Sequence, residues 1–141
     1  MDTKSIGSGV LIRLDKEESL VASLVSLAVK KEWKSGQITG IGALKNVELG
    51  VYHLDRQTYD KKVFPEIVEL LSLQGNLSLV EDKPLFHLHA ICGDENFNCR
   101  GGHLFEAKVA ITCEILFTPG ETSVIRTRNE KMGLNLLDFS K

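Results

Sequence analysis

Three of the four histidines in this 141-residue chain are spaced so that their rings could act together. His87 and His89 lie two residues apart in an apolar run. In a strand that spacing sends both rings to one face, and Phe86, Leu88, Ala90 and Cys92 to the other, which reads as core. The polar stretch from Gly93 to Gly102 then turns the chain. A hairpin centred near residue 95 returns His103 beside His87, so three imidazoles meet on one surface. Three neutral imidazole nitrogens are a ligand set for a divalent metal, zinc above all, with a fourth position open to water or a ligand. The plain alternative is three polar residues on a solvated face, or histidines satisfied within the core. Gly101-Gly102 ahead of His103 permits the close backbone approach that would aim its ring. His53 lies outside this hairpin and reads as an ordinary surface residue.

Other chemistry is weaker. Gly40-Ile41-Gly42-Ala43-Leu44-Lys45 lacks the third glycine of a dinucleotide loop, because Lys45 stands in its place. A glycine-punctuated bend or bulge is the better reading. Cys92 and Cys113 fall on apolar strand faces, where thiols are buried and inert. Cys99, in a loop, is the one expected to be exposed. None of the three belongs to a C-x-x-C pair or a nucleophile pattern. Glu69, Glu106 and Glu114 are spread along strands, and each is a candidate to support a metal ligand.

The elements that must hold these side chains follow from periodicity. Val10 to Leu14 is a short apolar strand. Asp15 and Glu18 have capping-box spacing. Leu20, Val21, Leu24, Val25, Leu27 and Ala28 form the stripe of an amphipathic helix. Lys30, Lys31 and Lys34 suit its C-terminal dipole, and Gly36 stops it, so the helix is expected over about 16–34. Strand texture follows: 37–44, Val47 to Tyr52, Ile67 to Leu79 with Gly75 as a candidate bulge, and Leu85 to Ile91. Val109 to Phe117 alternates with a period of two, with Val109, Ile111, Cys113, Ile115 and Phe117 on one face. Asp55–Thr58, Glu81–Lys83 and Pro119-Gly120 read as turns. Val124-Ile125 opens a last short strand before a tail carrying Leu134, Leu136, Leu137 and Phe139. One long helix beside six or more strands on short turns argues an α+β fold, a mainly antiparallel sheet packed on one long helix, in a single domain over 1–141. The strand–helix–strand opening implies at least one parallel pair.

Composition bounds the function. Hydrophobic residues make up 43% and charged residues 26%, a globular balance. Net charge is −2, without the basic excess of a general phosphate binder. Aromatics at 6% are too sparse for a base-stacking platform. The N-terminal residues carry no apolar leader run, and no apolar stretch approaches the ~20 residues of a membrane span. With an odd number of cysteines, a reduced cytoplasmic setting is expected.

Five motifs in order carry a resemblance: Gly40-Ile41-Gly42-Ala43-Leu44, Glu69-Leu70-Leu71-Ser72-Leu73-Gln74-Gly75-Asn76, His87-Leu88-His89, Gly101-Gly102-His103-Leu104 and Gly133-Leu134-Asn135-Leu136-Leu137. Over residues 8–139 the chain resembles the plants and prokaryotes conserved (PPC) domain of the standalone prokaryotic type. That resemblance implies an α/β fold, assembly as a homotrimer, a metal on His87, His89 and His103, and kinship with plant proteins in DNA-associated complexes. Two plant features are missing. There is no Arg-Gly-Arg-Pro AT-hook core, and the plant partner-binding segment Gly-Arg-Phe-Glu-Ile-Leu is replaced by Glu66-Ile67-Val68-Glu69-Leu70-Leu71. DNA affinity is accordingly expected to be weak and salt-sensitive.

The expected function is a homotrimeric binding or regulatory module, DNA-associated or not, with a three-histidine divalent metal. A small metalloenzyme or a metabolite sensor using the open metal position is the alternative, although no general base can be named. The trimer has one further warrant. Strands 67–79, 85–91 and 109–117 offer more apolar face than one helix covers, unless the C-terminal tail folds back over it.

Overall fold

The computed structural model describes residues 1–140, which form nine strands and one α-helix in chain order. These are β1 Asp2–Ile6, β2 Gly9–Asp15, α1 Leu20–Lys30, β3 Gly36–His53, β4 Thr58–Phe64, β5 Val68–Val80, β6 Lys83–Gly93, β7 Cys99–Pro119, β8 Ile125–Asn129 and β9 Leu134–Asp138. All nine strands belong to one sheet, ordered β1-β2-β7-β3-β5-β8-β9, with β4 added to β3. β6 pairs with both β5 and the start of β7. β3, β5, β6 and β7 therefore close on themselves, and this closure positions the histidines.

The antiparallel sheet is as expected, but the long helix is not. α1 has 11 residues, and its limits are set by backbone conformations that residue types do not reveal. Glu17 takes a left-handed φ of 72°, which interrupts any helix begun at residue 16. Glu18 accepts from Asp15 N at 2.7 Å, so half of the capping box forms, but it closes a turn ahead of the helix. The N-cap is Ser19, whose side chain makes no capping bond. The first free amides, Val21 N and Ala22 N, instead donate to the Glu106 carboxylate of β7 at 2.8 and 3.1 Å. At the other end Glu32 adopts φ 54°. Glu32 N donates to Val29 O, and Trp33 N to Ala28 O, the paired bonds of a Schellman stop. Gly36 is thus not the terminator. It opens β3, where an added Cβ would lie 2.3 Å from the Phe117 ring.

The apolar stripe of α1 packs Leu20, Leu24, Leu27 and Ala28 into a core with Ile12, Leu14, Leu44, Leu73, Leu77, Leu88, Ile115 and Phe117. Burial of this kind stabilises by roughly 1.5–3 kcal/mol per large apolar side chain. The period-two reading of 109–117 fails at one point. Between Gly42 and Leu44 the β3–β7 register slips, so Val109 and Ala110 are both buried and Ile111 faces out at 62% exposure. The bulge expected within 40–44 is present, at Gly40/Gly42. That expected at Gly75 lies instead between Leu70 and Ser72.

β2 and β3 run parallel but are separated by β7. Among the described residues the one parallel pairing is the contact of β8 with β5 at Leu79 and Ile125. β1 and β4 were not anticipated, and the tail is more ordered than expected. Beyond Pro119-Gly120, β8 and β9 form a hairpin rather than one strand and a tail.

Candidate metal centre

His87 and His89 lie on β6 with their rings on the face away from the core, while Phe86, Leu88, Ala90 and Cys92 are buried. The β6–β7 hairpin supplies the third ring. Asp94 holds its loop by accepting from Asn96 N and Asn98 N at 2.9 and 3.0 Å and from Arg100 Nη2 at 2.7 Å. Its register pairs His103 with His89 rather than with His87, a shift of one residue in the expected hairpin centre. Because His87 and His89 share a face, the shift still leaves all three rings together. Ring centroids are 5.2 Å apart for His87–His89, 5.2 Å for His87–His103 and 5.6 Å for His89–His103. One ring nitrogen from each lies within 4.8 Å of the others.

Glycines let the strands come this close. A Cβ on Gly75 of β5 would sit 2.1 Å from His87 O, and one on Gly102 would sit 2.8 Å from Gly50 O. Gly75 is therefore a position of close approach beneath the site.

His103, like His87, is half-buried, whereas His89 is exposed. The His103 ring packs on Phe105 at 4.6 Å and Tyr59 at 5.1 Å, and its buried Nδ1 has no hydrogen-bond partner. Burial, reinforced by the neighbouring His87 and His89, lowers the pKa of His103 to about 4. Burial and then the Arg126 guanidinium lower that of His87. Both rings are thus held neutral, the form that binds metals. A buried ring nitrogen without a partner is what a coordinated cation would satisfy, so these residues fit a metal.

Sequence reading missed Arg126. It sits on β8 with 8% exposure and donates to Ser78 Oγ at 2.8 Å, Asn135 O at 3.1 Å, Asn76 Oδ1 at 3.0 Å and His87 Nδ1 at 3.3 Å. No motif marks it: one arginine in a short polar strand has no pattern of its own. Beside it is a pocket of about 220 Å³, lined among others by Tyr59, Leu85, His87, His103, Leu134 and Leu136.

The acidic candidates lie elsewhere. Glu106 caps α1. Glu69 and Glu114 line a different depression together with Ile41 and Leu71. Among the described residues no Asp or Glu joins the histidine group or lines its pocket. His53 is a surface residue paired with Asp60 at 2.9 Å. Cys92 and Cys113 are buried and Cys99 is exposed. Burial pushes the first two thiols up to about 11 and about 12, so they are inert.

The Plants and Prokaryotes Conserved (PCC) domain matches residues 1–120. Among solved structures, a candidate DNA-binding protein of Bacteroides thetaiotaomicron superposes with a TM-score of 0.96 at 29% identity, over 99% of this chain and 98% of that one. A metal-containing protein of Archaeoglobus fulgidus gives 0.87 at 34%, covering 94% of each chain. A plant- and prokaryote-conserved protein of Pyrococcus horikoshii gives 0.86 at 30%, covering 95% and 93%. No curated protein matches the sequence.

Proposed function

Because this chain belongs to the Plants and Prokaryotes Conserved domain family, we propose that it is a homotrimeric binding and regulatory module built around a divalent metal, zinc, held by His87, His89 and His103. The observation that carries this is the convergence of three imidazole nitrogens within 4.8 Å, one of them buried without a partner if His103 offers Nδ1. On a tetrahedral zinc, ligands at about 2.0–2.1 Å from the ion lie about 3.4 Å from one another. Small side-chain rotations would bring the rings to that separation. The metal would supply a Lewis-acidic site with one position open. The description of the Archaeoglobus relative as metal-containing supports the same reading.

Elemental analysis of purified protein, followed by zinc titration of wild type against His89→Ala, tests it. Wild type is expected to take up one equivalent and the variant to lose most of its affinity. Affinity should also fall with pH as protons compete for the rings. Equal uptake by both proteins ends the idea.

The binding-module reading is favoured over a metalloenzyme because, among the described residues, no carboxylate stands by the histidines to act as a base. A link to DNA is supported by the descriptions of relatives. The net charge of −2 offers no general electrostatic attraction to phosphates.

The trimer is supported by apolar side chains left uncovered on four strands: Ile41, Leu71, Ile91 and Ile111. The tail does not cover them. Leu134 and Leu136 line the histidine pocket instead, and Leu137 and Phe139 are exposed.

A further inference from the structure

Arg126 is a cation buried to more than nine-tenths, and every group it touches is uncharged. Its four acceptors are a serine hydroxyl, an asparagine amide, a backbone carbonyl and an imidazole. Among the described residues no carboxylate forms an ion pair with it. Its pKa is lowered by burial, with no compensating anion beside it. A buried guanidinium without a counter-charge is costly. This one also lines the pocket next to the histidines, and here the inference rests on the metal centre proposed above. Three neutral rings, a divalent metal and Arg126 would make a strongly positive site with no acidic residue to balance it.

The hydrogen bonds say where an anion would attach. A neutral imidazole has a single lone pair, and Arg126 Nη2 takes that of His87 at Nδ1. A metal bound to His87 must use the lone pair itself, or leave Nδ1 protonated and facing a donor. Either way the Arg126–His87 bond is lost. Nη1 already has one N–H beyond that given to Asn135 O. Nη2 would then gain one beyond that given to Asn76. That would leave one N–H on each terminal nitrogen for the two oxygens of a carboxylate.

The remaining walls define the rest of the ligand. Tyr59, Leu85, Phe86, Leu134 and Leu136 are aromatic or aliphatic, and Arg126 is the one cation among the lining residues. The volume, about 220 Å³, falls below the roughly 300–1,000 Å³ of drug-sized ligand pockets, so the ligand is small. The apolar walls offer little hydrogen bonding to the further oxygens of a phosphate, so they suit a carboxylate with a short hydrocarbon body better. We propose that this pocket is the binding site of a small apolar monocarboxylate, gripped by Arg126 and directed at the open metal position.

Calorimetric titration of the zinc-loaded protein with hexanoate, 1-hexanol and inorganic phosphate tests this. Hexanoate is expected to bind at least tenfold more tightly than either of the others, and more tightly to zinc-loaded than to metal-free protein. By linkage, hexanoate should raise zinc affinity by the same factor. Arg126→Gln should weaken hexanoate at least tenfold. Because Arg126 also ties together Ser78, Asn76 and Asn135, that variant is paired with Leu136→Trp, which fills the pocket and leaves the guanidinium in place; it too should lose hexanoate, with the fold checked by circular dichroism. Equal binding of hexanol, tighter binding of phosphate, or unchanged hexanoate affinity in a folded Leu136→Trp protein would overturn the proposal. Failure of zinc uptake overturns the metal reading and the metal-directed half of this proposal, and the Arg126 carboxylate pocket is then judged by hexanoate binding to the metal-free protein and the same two variants.

Discussion

His103 shows what burial does to a side chain whose ordinary pKa lies near neutrality. In the folded, metal-free protein its pKa is about 4, whereas in the unfolded chain it returns to about 6.5. The unfolded state therefore binds the proton first. Stability from the neutral ring is fully present above about pH 6.5, declines as pH falls and stops declining below about pH 4. Allowing for partial exposure of the ring, the loss is on the order of 2 kcal/mol. Denaturant midpoints of metal-free wild type and His103→Gln, measured from pH 7.5 to 4, should converge as pH falls. Parallel curves would show that the ring is not held neutral by its surroundings. Zinc should steepen the wild-type curve, because bound metal stabilises only the form with neutral ligands.

Within the elements, two contacts decide stability in places where residue type is a poor guide. Gly75 lies in an uninterrupted stretch of the β5–β6 ladder, so its value is not conformational freedom but the absence of a Cβ against His87 O. Gly75→Ala should cost about 2–3 kcal/mol and weaken zinc binding, since the backbone that must yield carries a ligand. Gly7, with φ 56° and open space around it, should cost only about 1 kcal/mol on the same change. Thermal melts of the two variants with and without zinc check the order. At the start of α1, Glu106 from β7 performs the capping that Ser19 does not. Glu106→Ala should lose about 1 kcal/mol, and Ser19→Ala a few tenths at most. The reverse order in urea denaturation would show that the helix is capped locally after all.

For the whole molecule, closure of β3, β5, β6 and β7 buries one apolar face and leaves Ile41, Leu71, Ile91 and Ile111 on the outside. An uncovered patch of this kind on an antiparallel sheet is a natural self-association surface. Light scattering coupled to size exclusion should give three times 15.6 kDa for wild type. The double variant Ile41→Lys, Ile111→Lys should fall to one third of that. A wild-type mass near 15.6 kDa at micromolar concentration would remove the trimer.

The sequence by itself determined the antiparallel sheet, the apolar stripe of the helix, the two buried thiols and the shared face of His87 and His89. Each is a local property: side chains alternate along a strand and recur with the helical period, whatever the rest of the chain does. It also determined that His103 returns to that face, because a hairpin displaced by one residue still meets one member of a pair two residues apart. The tertiary structure decided the rest. The helix ends depend on left-handed Glu17 and Glu32 and on a carboxylate 85 residues away from Val21. The outward turn of Ile111 depends on a register slip against β3. Arg126 reaches His87 across 39 residues, through pairing of β8 with β5 that is carried by a single register contact. Those contacts arise from register and closure, which are set by how strands far apart in the chain find one another and leave no periodic trace in any one of them.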